Sequence, residues 1–188
     1  SIGIPAPTVT ADIILVSHNH YDHNSVKTVE KETSKIITDE RKRTIGDIQI
    51  MGIPAFHDAA HGERRGTVIL YKFISDDVTF CHLGDLGHQL TSAEIKTIGK
   101  VDVLLIPVGG LFTLDAAGAN MVWEDIKPRV AIPMHYKTER CQWLKGTAED
   151  FAKGKKHVVK LDSNEVEFSS SLLPEESEVL ILKYSGQA

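Results

Sequence analysis

The chain holds 188 residues, 41% of them hydrophobic, enough for one domain over residues 1–188 with a sizeable core. Its formal net charge of −5 argues against nucleic acid as a partner, since phosphate binding needs a concentrated basic face, and the Lys153-Gly154-Lys155-Lys156 run reads as a solvated loop. No stretch is apolar enough to span a bilayer, no signal peptide opens the chain, and Cys81 and Cys141 form neither a CxxC pair nor a disulfide framework, so a cytoplasmic protein without a membrane partner is expected.

Ile13 to Ser17 is a short continuous apolar run, as expected of a strand buried on both faces. Lys27 to Arg43 is densely charged around Val29, Ile36 and Ile37 and reads as a helix leading into a short strand. Ile48 to Phe56 is a strand with an irregularity at Gly52-Ile53-Pro54. Val68 to Ile74 and Val78 to Leu83 bracket the polar Ser75-Asp76-Asp77 and predict a hairpin, with Cys81 a small buried hydrophobe. Ser92 to Ile98 reads as a helix capped by Ser92, and Val101 to Val108 as a buried strand closed by Gly109-Gly110. A helix from Leu114 to Ile126, a strand from Val130 to Met134 and a short helix from Thr147 to Phe151 follow. The tail from Val158 to Tyr184 shows three strand-like pieces, separated by Asp162-Ser163-Asn164 and the Pro174 region.

Directly after the first apolar run, His18-Asn19-His20-Tyr21-Asp22-His23 packs three histidines and an aspartate into six positions. In an extended segment alternate side chains share a face, so His18 and His20 can point at one centre, and a turn after Tyr21 can swing Asp22 and His23 toward a second. The pattern recurs at other strand ends. His57 follows the strand ending at Phe56, Asp85 follows Cys81-His82-Leu83-Gly84, and His135 follows Val130 to Met134. Strand ends along one edge of a sheet are where a scaffold converges distant residues into one pocket.

Zinc-type cations take imidazole nitrogen and carboxylate oxygen, and one aspartate can bridge two of them. The set divides into His18, His20 and His57 for one ion and Asp22, His23 and His135 for another, with Asp85 spanning both. Each ion then keeps an open position for water, the mark of a catalytic site. Two divalent cations are therefore expected as cofactors, Zn2+ first, with Mn2+ or iron left open. The expected chemistry is hydrolysis by a bridging hydroxide, with Asp22 both a ligand and the catalytic residue that orients the nucleophile.

His61, four residues further into the loop, is the alternative to His57; otherwise it and Asp58 are expected to orient ligands or substrate. Arg64, Arg65 and Lys137 are candidates for gripping an anionic substrate, with surface salt bridges as the competing role. His82 is expected to pack on its strand, His88 is open, and His157 is unrelated. Trp123 and Trp143 read as packing or interface residues rather than pocket walls.

The assembled motifs resemble the metallo-β-lactamase superfamily. His18-Asn19-His20-Tyr21-Asp22-His23 matches its HxHxDH signature, and Phe56-His57-Asp58, Gly84-Asp85-Leu86 and Met134-His135-Tyr136 fall in the order of its later ligand motifs. The stretch His57 to Gly66, His82 to His88, Pro107-Val108-Gly109-Gly110 and Pro133 to Lys137 are similar to a branch of zinc-dependent hydrolases related to the ascorbate-6-phosphate lactonases. The resemblance implies an α+β fold, a four-layer αβ/βα sandwich with a dinuclear site at one edge of its two sheets. Only 17 positions precede His18, so the first N-terminal strands of that sandwich are expected to be lacking. The implied activity is metal-dependent hydrolysis of a small anionic ester, lactone or phosphoester. A nuclease or phosphodiesterase of the same fold, di-iron electron-transfer chemistry and a non-catalytic metal-binding regulatory domain are the alternatives, and homo-oligomerisation is left open.

Overall fold

In the computed structural model, which describes residues 5–184, two short segments open the fold: β1 (Ile13–Leu15) and β2 (Lys35–Ile37) pair in parallel as a small sheet. A larger sheet is built from β3 (Arg43–Ile45), β4 (Ile48–Phe56), β5 (Thr67–Ser75), β6 (Val78–His82), β7 (Val103–Pro107), β8 (Val130–Met134), β9 (Val158–Lys160) and β10 (Glu178–Ile181). Its strand order is β3-β4-β5-β6-β7-β8-β10-β9, antiparallel from β3 to β6 and parallel from β6 to the β9 edge. Three helices join it: α1 (Ser92–Ile98), α2 (Ala116–Ile126) and α3 (Ala148–Ala152). Among the described residues no helix is long and apolar enough to cross a membrane.

Alternation along the strands sorts the apolar residues into two cores. Leu70, Cys81, Leu104, Ile106, Ala131 and Val179 face the helices and pack with Ile98, Ala119, Val122, Ala148 and Phe151. On the opposite face, Ile50 and Tyr71 pack against Ile37 of the small sheet, with Ile13 and Leu15 beside them. Further along that face Val78, Val103, Val130 and Leu180 are covered by Phe168 and Leu173 of the tail. The result is an α+β sandwich in which helices, the large sheet and the small sheet stack in that order. Tyr71 ties the sheets together, its hydroxyl 3.1 Å from the carbonyl oxygens of both Val16 and Ile37.

Several elements differ from the sequence reading for identifiable reasons. Lys27 to Arg43 forms no α-helix: a single 3-10 turn (Val26–Thr28) precedes β2, and Arg43 opens β3. Its only fully buried apolar residue is Ile37, so no helical stripe exists to dock. β1 is shorter than the run from Ile13 to Ser17 and buries only Ile14 fully, because it belongs to a sheet of two strands. The cap of α1 is Thr91, not Ser92: Thr91 accepts from the Glu94 N–H while the Glu94 carboxylate accepts from the Thr91 N–H. Asp115 caps α2, which therefore starts after Leu114. The tail supplies two strands, not three, since Glu165 to Phe168 lies across the sheet face without pairing. Pro54 is accommodated in β4 because β3 ends its pairing at Ile50, leaving the outer edge of β4 unpaired there.

Candidate metal centre

β4 and β6 run in the same direction because each is antiparallel to β5, and β7 and β8 are parallel to β6. All four strands therefore present C-terminal ends to one edge of the sheet. His57 leaves β4 there, Gly84-Asp85 follows β6, and His135 follows β8. The small sheet delivers the remaining histidines. The Val16 N–H donates to the Ile37 carbonyl at 2.9 Å and the Ile69 N–H to the Ser17 carbonyl at 2.8 Å, so the chain enters His18 already fixed to both sheets.

Asp85 is the hub of the cluster. Its Oδ2 lies 3.3 Å from His57 Nε2, 3.4 Å from His23 Nε2, 3.6 Å from His135 Nε2 and 3.8 Å from His18 Nε2. The ring of His20 sits 4.6 Å from that of His18 and 5.1 Å from that of His57. Ligand-competent atoms of His18, His20 and His57 lie within 4.8 Å of one another, as do those of His18, His23 and Asp85. Asp22 stands at the rim, half exposed, with Oδ2 3.8 Å from His23 Nε2.

Neighbouring groups aim these rings. His57 Nδ1 lies 3.0 Å from the Phe112 carbonyl, which can only accept, so Nδ1 carries a proton and Nε2 is the nitrogen turned toward Asp85. Ser17 Oγ meets His18 Nδ1 at 3.0 Å, leaving His18 Nε2 buried without a hydrogen-bond partner; His135 Nδ1 is likewise buried and unpartnered. Buried polar atoms without partners are rare in folded chains. Imidazole nitrogens converging on one carboxylate, with no thiol among them, fit a divalent cation of the zinc class. Cys81 lies buried in β6, its thiol pushed up to about 12 by burial.

At His18, Asp85 and His135 the electrostatics favour the protonation states a cation needs, and at His57 they oppose them. Burial, aided by His23, holds His18 down to about 4, so its imidazole is neutral at neutral pH. Burial alone would raise Asp85, but the hydrogen bond from His57 and the charges of His135 and His23 hold it at about 2. His135 is lowered by burial against the pull of Asp85. At His57 burial works downward, and the Asp85 hydrogen bond and charge reverse it to a net rise.

Two glycines let the ligand loops meet. A Cβ on Gly87 would lie 2.4 Å from the His57 carbonyl, and one on Gly109 would lie 2.2 Å from the His135 carbonyl. His135 itself has φ +49, a left-handed conformation that a non-glycine residue holds only under constraint from its surroundings.

The other predicted residues stand around this cluster. The Asp58 side chain turns away to organise its loop, accepting from the N–H groups of Ala60, Gly62, Arg64 and Arg65. His61 lies at left-handed φ +54 with its ring edge-on to Phe56, outside the histidine groups, whereas His57 is 1% exposed and inside them. Arg64 contributes its backbone to Asp58. The Arg65 guanidinium lies 3.4 Å above the Phe112 ring and lines an open cleft of about 540 Å³ together with His18, His20 and Asn24. Lys137 lines a separate cavity of about 870 Å³ beyond Tyr136, with Lys145 and Glu149. His82 accepts from the Gly84 N–H on its strand, and His88 lies between the Phe56 carbonyl and Glu94. His157 pairs with Glu176 elsewhere.

Sequence reasoning did not single out Phe112, whose carbonyl holds His57 Nδ1, or the position of Trp143 beside the cluster. The Trp143 ring stands 6.2 Å from His135 and 5.9 Å from Phe112, half exposed beside the cluster, while Trp123 packs in the core under Lys155. The one available signal was Gly109-Gly110, a glycine pair at a strand end on the converging edge, just before Leu111 and Phe112.

Comparison with known proteins identifies the superfamily. The family described as "Beta-lactamase superfamily domain" matches residues 1–135. A UPF0173 metal-dependent hydrolase from Archaeoglobus fulgidus is 32% identical, the match covering 79% of this chain and 75% of that protein. One from Pyrococcus furiosus is 33% identical over 69% of this chain and 68% of its own length. A candidate Zn-dependent hydrolase of the metallo-beta-lactamase superfamily from Thermotoga maritima, solved by crystallography, superposes with a TM-score of 0.78 at 34% identity, covering 94% of this chain and 84% of that one.

Proposed function

We propose, from the premise that this chain belongs to the beta-lactamase superfamily and within it to the UPF0173 metal-dependent hydrolases, that it hydrolyses a small ester, lactone or phosphoester at a two-cation centre. The observation that carries the reading is the convergence of His18, His23, His57 and His135 on the single buried carboxylate of Asp85. His18, His20 and His57 would hold one cation and His23, His135 and Asp22 the other, with Asp85 between them, and the donor set favours Zn2+. Such ions, when bound, lower the pKa of water toward neutrality and stabilise the charge that develops on an attacked carbonyl or phosphoryl group.

The chain's own residues supply the rest. Asp85 stays anionic and His18 neutral at neutral pH, so neither must shed a proton to accept a cation. The Phe112 carbonyl and Ser17 hydroxyl lock two ring orientations. Asp22, half exposed at the rim, is placed to accept a proton from the attacking water or pass it to the leaving group. The test is elemental analysis of the purified protein together with turnover on a panel of esters, lactones and bis(p-nitrophenyl) phosphate. Two equivalents of metal and turnover abolished by Asp85→Asn are expected. Stoichiometric metal with no turnover on any substrate would turn the reading to a metal-binding regulatory domain, and absence of metal would overturn it.

A further inference from the structure

Arg65, Phe112 and Trp143 come from three separate loops and form one continuous strip beside the histidines. Arg65 lies over Phe112 at 3.4 Å, Phe112 neighbours Trp143 at 5.9 Å, and Trp143 borders His135 at 6.2 Å. The strip touches the cluster at both ends, since Arg65 shares its cleft with His18 and His20. It is also fastened to the centre from beneath, because the Phe112 carbonyl holds His57 Nδ1.

The loop of Arg65 does not need this side chain to keep its shape. Four backbone N–H groups bonded to Asp58 already pin residues 60 to 65, and the Gly66 N–H donates to the Gly62 carbonyl. The guanidinium carbon lies 3.4 Å from the centre of the Phe112 ring, and an arginine carried on an aromatic ring can still grip a carboxylate or phosphate with two parallel N–H bonds. No carboxylate forms a salt bridge with Arg65 among the described residues. Trp143 and Leu111 meanwhile leave apolar surface 49% and 47% exposed beside a polar site. Leu111 holds left-handed φ +67, so the turn that presents Phe112 is constrained rather than relaxed.

We infer that Arg65, stacked on Phe112 and flanked by Trp143, is the substrate-recognition strip of the centre, selecting an anionic substrate whose carboxylate or phosphate adjoins a flat apolar group. This rests on the hydrolase reading above and names its substrate class. The charge would sit on the guanidinium edge and the flat group against Trp143, placing the scissile bond over the histidines.

The experiment titrates phenyl phosphate and inorganic phosphate into the protein as purified and again after chelation, following the heat of binding by calorimetry, with metal content measured in parallel. Phenyl phosphate should bind more tightly than inorganic phosphate and keep measurable affinity in the chelated protein. Arg65→Met should weaken both anions about tenfold, Arg65→Lys less, and Trp143→Ala should weaken phenyl phosphate alone, with metal content unchanged in all three. With a turned-over anionic ester the same variants should raise KM and leave kcat within about threefold, the signature of lost uniform binding. Equal affinity of wild type and Arg65→Met for phenyl phosphate, in a variant with unchanged metal content and melting temperature, would overturn the inference. Loss of metal from the wild type would instead strike the two-cation reading and leave the chelated-protein titration to decide the strip.

Discussion

At the scale of single residues, the orientation of each ring matters as much as its presence. Ser17 sits on β1's exit, 9% exposed, with its hydroxyl 3.0 Å from His18 Nδ1 while Nε2 faces the cluster. Replacing Ser17→Ala removes the group that fixes this ring and leaves the backbone hydrogen bond from Ile69 to Ser17 intact. Groups of this kind are worth about 10–100-fold in metal affinity. Competition against a chromophoric chelator should therefore show zinc binding weakened by about that factor, with the melting temperature little changed; unaltered affinity would show that the hydroxyl has no part in aiming the imidazole. His57 cannot be tested the same way, since its orienting partner is a backbone carbonyl.

At the scale of elements, the site depends on how closely strand-end loops approach. Gly109 is the tightest case: the chain after β7 passes so near the chain after β8 that a Cβ would sit 2.2 Å from the His135 carbonyl. The Lys145 and Gly146 N–H groups also donate to the Gly109 carbonyl, so this backbone cannot retreat. Gly109→Ala should displace His135, with loss of about half the bound metal by elemental analysis and a drop in stability of about 1–3 kcal/mol in urea denaturation. Wild-type metal content in that variant would show that the loops have slack. Tyr71 works between elements too, its hydroxyl bridging toward Val16 and Ile37. Tyr71→Phe should cost about 1–2 kcal/mol, read from the same denaturation curves.

These elements also show what the sequence could disclose. The β4-to-β8 run was readable because its apolar residues alternate or cluster at strand length and its ends carry the histidines and Asp85. The Lys27–Arg43 segment was not, because high charge imitates an exposed helix, while its true partner, β1, pairs through backbone bonds that leave no pattern in side chains. The ligand cluster followed from local spacing plus strand ends. Phe112 and Trp143 did not, because an aromatic residue is a wall or a core residue only by virtue of which loop lies opposite, and that is decided by contacts such as those of Gly109 and Gly146. Asp58, beside His57, looked like a ligand orienter; its four backbone partners show that a carboxylate at a loop start is as readily spent on turn formation.

At the scale of the whole molecule, burial of titratable groups sets the pH range in which the fold stands. On the acid side His82, carried by β6 and accepting from the Gly84 N–H, is held by burial at about 4, below the ordinary 6.5. The folded chain then binds fewer protons than the unfolded one between those values, so this contribution is complete above pH 6.5 and is lost as pH falls toward 4. On the alkaline side burial, with Asp39 nearby, raises Tyr71 to about 12, so its neutral hydroxyl stabilises the fold below pH 10 and that contribution is lost as pH rises through 10 toward 12. The urea midpoint of the chelated protein should accordingly be flat between pH 7 and 9 and fall from pH 7 to pH 5. His82→Asn, which keeps an acceptor for the Gly84 N–H but cannot take up a proton, should make that acid limb shallower, the remainder belonging to groups such as His18 that burial also holds low. An acid limb as steep in His82→Asn as in the wild type would assign the acid sensitivity to other groups, and a midpoint rising from pH 7 to pH 5 in the wild type would contradict the burial of a neutral imidazole at that place in the sheet.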